Sequence, residues 1–274
     1  MSKSIIATVS YDRNDSSLRD RMIQSFQEWK ALGMDVVTSD SGSSEEFVKK
    51  IKDMGIEVLR RPDGFVGTGI KQSIQKAVEL GADKIVYTES DKSRKYGFTK
   101  EIKTCLSKLE EADIVIPSRT ALAFATYPHV RQWTETNIIN FFYGKLLYDL
   151  AGSEVKDYSY GPRVFRKEVA PFFVKSPYID WAASFEPLIN MAHDGAKKGK
   201  KRKITEVKVD AEYPVGTDAL DAQATAYRVE QSHQIMQPII AYYRTHKPDK
   251  FFDIFRQYSS ILQRASNLMG PSNF

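Results

Sequence analysis

Lys84-Ile85-Val86-Tyr87-Thr88-Glu89-Ser90-Asp91-Lys92 is the stretch on which the reading of this chain turns. A β-branched apolar run ends in two acids one residue apart. The run reads as a buried strand. Side chains alternate along a strand, so Glu89 and Asp91 are expected to face the same way at its C-terminal end. Paired carboxylates repel, and each favours its protonated form unless a cation sits between them. Hard divalent ions take such oxygens and share them with phosphates. An Mg²⁺ or Mn²⁺ site is one reading. A polar turn closing a strand is the other, because acid-x-acid is common by chance.

Strands and helices alternate outward from this point. Residues 4–10 read as a first strand. Asp15 or Ser16 caps a helix with Leu18, Met22, Phe26 and Trp29 on one face, and Gly33 ends it. A second strand over 35–38 runs into Ser39-Asp40-Ser41-Gly42, and Ser44 caps a helix over 45–54. Residues 56–59 read as a third strand. Gly67-Thr68-Gly69 opens a helix that stops at Gly81. Downstream, a helix over 99–110 precedes a strand over 113–117. This order predicts an α/β fold, a Rossmann-like, mostly parallel sheet flanked by helices. Ligands bind such sheets at the carboxyl ends of the strands. Those ends carry Ser10-Tyr11, Asp40-Ser41 and Glu89-Ser90-Asp91. The glycine pair is neither a Walker A sequence nor a dinucleotide fingerprint, since it follows the third strand. Its backbone N–H groups, or Lys71, can approach a diphosphate, or it simply starts a helix tightly.

The second half has a different texture. Residues 119–130 read as a loop, 132–150 as a long amphipathic helix, and Val164-Phe165 as a short strand. A helix carries Phe185, Leu188, Ile189 and Met191, and 204–209 alternates as a late strand. Thr217 or Asp218 caps a helix to about His246, with Pro238 expected to kink it. A final helix over 251–268 stops at Gly270-Pro271.

The composition is that of a globular protein: 42% hydrophobic and 27% charged over 274 residues. The net charge of +5 suits an anionic substrate but is too small to argue for nucleic acid. Much of it sits in the run Lys197-Lys198-Gly199-Lys200-Lys201-Arg202-Lys203, read first as a solvated loop and second as a phosphate or headgroup contact. The single cysteine, Cys105, excludes an internal disulfide and a cysteine metal cluster. No apolar run reaches the roughly 20 residues of a membrane span, and no signal peptide is apparent. A soluble, cytoplasmic protein is the expectation.

Five segments in order resemble the family-2 glycosyltransferases of the GT-A fold, nearest their dolichol-phosphate-mannose-synthase-like branch. They are Val36-Val37-Thr38-Ser39-Asp40-Ser41-Gly42-Ser43, Gly67-Thr68-Gly69-Ile70-Lys71, Glu89-Ser90-Asp91 in the place of Asp-x-Asp, 155–169 around Gly161-Pro162-Arg163, and Ile204-Thr205-Glu206-Val207. The stretch from Asp180-Trp181 to Asp210-Ala211-Glu212 also resembles the mannosylglycerate and glucosyl-phosphoglycerate synthases. The resemblance implies a GT-A catalytic domain over 1–212, with a nucleotide-sugar half to 118 and an acceptor half beyond. A helical tail over 213–274 then packs on the core or makes a homo-oligomer contact. It further implies metal-dependent transfer from a GDP- or UDP-sugar to a hydroxyl of a small soluble or lipid-linked acceptor, with no nucleic acid and no transmembrane segment.

In that reading Asp91 holds Mg²⁺ or Mn²⁺, with Glu89 directly or through water. Ser10, Tyr11, Asp40, Ser41, Lys71 and Ser90 line the donor. Tyr11 packs on the nucleobase or is a half-buried core aromatic. Asp40 accepts a base N–H or caps its own turn. Arg163 and Arg166 clamp phosphate, unless one is a surface charge. An inverting reaction needs a base: Asp180, Glu186 or, third, Asp157. Asp180 is also readable as a helix cap, with Trp181 as packing. The departures are Glu89 for an aspartate, Ser41 for a second acid, Pro162 for a phenylalanine, and an absent membrane-anchoring tail. Tyr213-Pro214 stands where the synthases place a metal-binding histidine, with His233 a distant substitute. A sugar-nucleotide nucleotidyltransferase and a non-catalytic sugar-nucleotide-binding or scaffold protein are the alternatives. Tyr11-Asp12-Arg13-Asn14, which lacks glycine, argues against the first.

Overall fold

The computed structural model describes residues 2–12, 15–61, 63–92, 97–213 and 222–269. Its centre is a seven-stranded sheet. The first half contributes β1 (Ser4–Ser10), α1 (Ser16–Ala31), β2 (Asp35–Asp40), α2 (Glu45–Asp53), β3 (Glu57–Arg60), α3 (Val66–Glu79), β4 (Lys84–Glu89), α4 (Ile102–Lys108) and β5 (Ile114–Arg119). The second half adds α5 (Ala121–Ala125), α6 (His129–Thr134), a π-helical turn (Glu135–Asn140), α7 (Phe141–Ala151), β6 (Arg163–Arg166) and α8 (Ala170–Val174). A 3-10 turn (Trp181–Ser184), α9 (Glu186–Lys197), β7 (Ile204–Val209), α10 (Ala222–His246) and α11 (Pro248–Met269) complete it.

The strand order is β3-β2-β1-β4-β6-β5-β7. Only β6 is antiparallel to its neighbours, β4 and β5. The other strands all deliver their carboxyl ends to one edge, and β6 delivers its first residue, Arg163, to that edge opposite Tyr87.

Alternation along the strands feeds two cores. On β4, Ile85 and Tyr87 pack on the side of α3, α7 and α9, while Val86 packs with Phe26, Trp29 and Phe47 from α1 and α2. Helix starts follow local chemistry: Asp15 accepts from Ser17 N and Leu18 N, and Ser44 from Phe47 N. The stops at Gly33, Gly55, Gly81 and Gly152 all use positive φ.

Three expectations change. The strand expected over 113–117 extends to Arg119, and the loop expected over 119–130 contains two short helices. The helix expected over 132–150 is interrupted by the π-helical turn, whose side chains serve the site described next. Pro238 lies inside α10. The Thr217 or Asp218 cap and the Gly270-Pro271 stop lie outside the described residues. Ile235, Met236, Ile239, Tyr242, Tyr243, Ile254 and Tyr258 of the tail belong to the larger core, and Tyr143 OH donates to Ile235 O at 2.8 Å. No helix among the described residues is long and apolar enough to cross a membrane.

Candidate functional site

The carboxyl edge gathers charged side chains from several elements. β4 ends at Glu89 rather than continuing through Asp91. Lys92 N–H bonds back to Glu89 O at 3.3 Å and closes a turn. The two acids therefore meet through a turn, not through strand alternation. Between them stands the Lys92 ammonium, 3.8 Å from Glu89 Oε2 and 4.0 Å from Asp91 Oδ1. Burial pushes the Glu89 carboxyl up, Lys92 offsets part of this, and Asp91 adds to it. Burial disfavours the Lys92 charge, but Asp91 and Glu89 outweigh it and hold the ammonium protonated. Gly161 leaves room for this pair, since a Cβ there would run into the Glu89 carboxylate.

Asp40 lies at the same edge but faces inward. It is fully buried and accepts from Ser10 Oγ, Gly42 N, Ser43 N, Ser43 Oγ and Arg60 Nη1 at 2.6–3.1 Å. Its oxygens are engaged by its own turn, by Ser10 and by Arg60, as in the turn-capping reading of this residue. Ser10 is buried beneath it, and Ser41 is tied to Ser10 O through its backbone N–H. Tyr11 is 46% exposed beside this turn, so it is not a core aromatic. Ser90 is buried between the two acids in sequence.

Arg163 and Arg166 part company. Arg163 is fully buried; it donates to Tyr160 O, to Pro162 O at 2.8 Å and to Tyr158 O at 2.7 Å, and lies over the Phe185 ring. Burial pushes it down to about 10, against the charge of Glu89. It shapes the 158–162 loop and leaves no fork for a phosphate. Arg166 pairs with Lys84 at the opposite end of the sheet and donates to Leu109 O and Ala112 O beyond α4. It is excluded as a phosphate clamp. The basic run 197–203 also reaches that far edge, where Arg202 pairs with Asp113.

The proposed bases separate as well. Asp157 is buried and takes Arg119 N, Nε and Nη2 at 2.7–3.1 Å, with Ser159 Oγ at 2.6 Å. Burial alone would raise this carboxyl; the Arg119 charge and these bonds overturn it and hold the group far below the usual range. A carboxylate so held is a poor proton acceptor, which removes Asp157 as a base. Glu186 starts α9 at the edge of burial; Asn190 donates to Oε1, while Oε2 has no partner of good geometry among the described residues, Ser176 lying close by. Burial pushes it up. Asp180 caps the 3-10 turn through Ala182 N at 2.8 Å, half-buried. No described contact joins Asp180 or Glu186 to Glu89 or Asp91.

Lys71 donates to Ser176 O at 3.1 Å. Gly67 N donates to Ile179 O at 2.8 Å, and a Cβ on Gly67 would stand 2.6 Å from Asp180 O. The glycine motif thus admits the 179–180 backbone to the start of α3, where a diphosphate was expected. His233, on α10, stacks on Tyr258 of α11.

Sequence reasoning missed the cations. Arg119, at the end of β5, bridges Glu135 at 2.6 Å and Asp157 at 2.7 Å under the rings of Phe124, Tyr127 and Tyr160. Arg131 reaches Glu135 through Nε at 2.6 Å and lies over Tyr127; among the described residues its two terminal nitrogens make no hydrogen bond. It acts electrostatically on both Glu89 and Lys92. The spacing Arg131-x-x-x-Glu135, one helical turn, was the available signal.

The donor set fits a divalent ion in part. Glu89 and Asp91 present hard oxygens at one point, and substrate phosphates and water ordinarily complete such shells. Among the described residues no group of three His, Cys, Asp or Glu side chains surrounds a metal position. Tyr213, after β7, instead packs on Tyr127 and Arg131.

No protein-family model matches the sequence, and no curated protein sequence matches it significantly. Solved structures do. Glucosyl-3-phosphoglycerate synthase of Mycobacterium tuberculosis superposes with a TM-score of 0.59 at 15% identity, covering 88% of this chain and 80% of that one. The same enzyme with Mn²⁺, uridine diphosphate and phosphoglyceric acid gives 0.60 at 13% identity, over 88% and 78%. Its complex with Mn²⁺, UDP-glucose and glycerol 3-phosphate gives 0.59 at 13%, over 88% and 79%. The strand order with its single reversed β6, the carboxylate turn after β4 and these superpositions agree: the chain has the GT-A glycosyltransferase fold.

Proposed function

We propose that this protein is a glycosyltransferase that uses a nucleoside-diphosphate sugar and transfers the sugar to a hydroxyl of a small anionic acceptor. The observation that carries the reading is the Glu89–Asp91 turn at the carboxyl edge, with Lys92 and Arg131 beside it. Similar solved structures bind Mn²⁺, uridine diphosphate and phosphorylated acceptors at this fold.

Sugar transfer builds positive charge at the anomeric carbon and negative charge on the departing diphosphate. Asp91 and Glu89 hold a divalent ion, which when bound neutralises that leaving charge. Tyr11, exposed at the end of β1, offers a face to the nucleobase, and the buried Ser10–Asp40–Ser43 network fixes the turn beneath it. Arg131, whose two terminal guanidinium nitrogens make no hydrogen bond among the described residues, offers them to a phosphate or carboxylate on the acceptor. Asp180 is the carboxylate left to take the acceptor proton in an inverting reaction; Glu186 is the second choice. A phosphate-bearing acceptor is favoured over a lipid-linked one, because the basic run that would meet a headgroup lies at the other edge of the sheet.

The test is calorimetric titration of UDP and GDP with Mn²⁺ or Mg²⁺, followed by hydrolysis or transfer from UDP- and GDP-sugars. Asp91→Ala is expected to abolish ion-dependent nucleotide binding with the fold intact, and Asp180→Asn to lose transfer while keeping donor binding. If no nucleotide binds under any divalent ion, the scaffold reading replaces the transferase.

A further inference from the structure

Lys92 occupies an unusual place. It follows the carboxylate pair directly, and the turn closed by its own N–H swings its side chain back over both acids. The side chain is only 12% exposed, and its ammonium stands 3.8 Å from one carboxylate and 4.0 Å from the other. It is therefore not a surface charge that happens to lie near an acid. Glu89 is 17% exposed, and Asp91 29%. Two carboxylates sharing one neighbourhood each favour the protonated form unless a positive charge stands with them. Lys92 supplies that charge from within the chain, and a divalent ion would supply it through the same oxygens. The two cations repel, and Arg131 adds a third positive charge to the same neighbourhood.

We propose that Lys92 is the resident counter-ion of the Glu89–Asp91 pair. It keeps both carboxylates in place before an ion binds and competes with the divalent ion for them. The ion then enters well only together with a diphosphate, whose negative charge takes over the ammonium. This inference rests on reading Glu89 and Asp91 as the ion-holding pair. It makes ion and nucleotide binding cooperative, and it makes the nucleotide-free protein a weak metal binder. By linkage, the nucleotide must tighten the ion as much as the ion tightens the nucleotide.

The full chain is titrated with Mn²⁺ in the absence of nucleotide, with free Mn²⁺ read by electron paramagnetic resonance. Lys92→Gln is expected to bind Mn²⁺ about tenfold tighter than the wild type, a typical size for coupling between charged sites. Lys92→Arg keeps the wild-type weakness. Lys100→Gln, at an exposed position beyond the turn, leaves affinity unchanged and controls for net charge. Adding Asp91→Asn to Lys92→Gln removes the gain, which locates the ion. With UDP present, the tightening of Mn²⁺ is larger in the wild type than in Lys92→Gln. Equal or weaker Mn²⁺ affinity in a folded Lys92→Gln protein, or a gain that survives Asp91→Asn, overturns the proposal. If neither UDP nor GDP binds, the transferase reading falls while the nucleotide-free Mn²⁺ comparison still judges Lys92.

Discussion

Replacing Asp157 by asparagine should weaken the fold rather than the chemistry. The side chain is 8% exposed and bonds Arg119 through its backbone N, its Nε and its Nη2, with Ser159 and Asn140 completing the shell. Asparagine keeps the shape and one acceptor oxygen but removes the charge facing a buried guanidinium. Breaking a buried pair from one side costs about 3–5 kcal/mol. Glu135 still faces Arg119 at 2.6 Å, so the lower end, about 3 kcal/mol, applies here. For a protein of this size that lowers Tm by roughly 6–12 °C. The pH dependence carries the second half of the prediction. The folded Asp157 titrates below its unfolded value of 3.8, so its stabilisation is complete above that value and lost as pH falls through the folded one. The deficit of Asp157→Asn measured by equilibrium urea unfolding is thus full from pH 5 to 7 and narrows toward pH 3. A loss under about 1 kcal/mol at pH 7, or a deficit that stays constant into acid, refutes this account. Collapse of turnover with unchanged stability would return Asp157 to the chemistry.

Arg166→Ala removes the bonds to Leu109 O and Ala112 O, so it should lower stability by about 1–2 kcal/mol in urea while nucleotide affinity stays as in the wild type. Gly67→Ala places a Cβ against the 179–180 backbone and should cost about 1–3 kcal/mol, seen as a lowered Tm. Glu186 is buried with its folded pKa raised, so the protein loses stability as pH rises from the unfolded value through the folded one. Glu186→Gln should remove that loss and flatten the stability–pH curve, and a curve that keeps its slope would contradict the assignment.

The alternation of strands and helices was legible because each turn carries its own chemistry: Asp15, Ser44 and the positive-φ glycines act within a few residues of where they stand. Glu89 and Asp91 were legible for the same reason, although the turn that joins them was not. Arg166 was misread because it and Arg163 are the two ends of an extended strand, about 10 Å apart, and the reversal of β6 puts Arg163 at the carboxyl edge and Arg166 at the other. Two arginines three residues apart look like one clamp, yet they end up at opposite edges of the sheet. Asp40 and Asp157 were read as functional acids because sequence does not reveal how many donors will surround a carboxylate. Arg119 and Arg131 were passed over because their partners, Glu135 and Asp157, follow within the π-helical turn and the loop before β6, and their burial depends on contacts made only in the fold.

The reversal of β6 also governs how this scaffold tolerates change. The segment leading into β6 arrives at the carboxylate turn, and the segment leaving it departs from the far side. Insertions or exchanges within 156–162 would therefore rewrite what the protein recognises, whereas the stretch just after β6, from Lys167 to Val174, begins on the far side of the sheet before the chain returns to Asp180 beside Gly67. A single strand laid against the grain thus decides which of its two flanking segments meets the carboxylate turn first and is open to diversification of specificity.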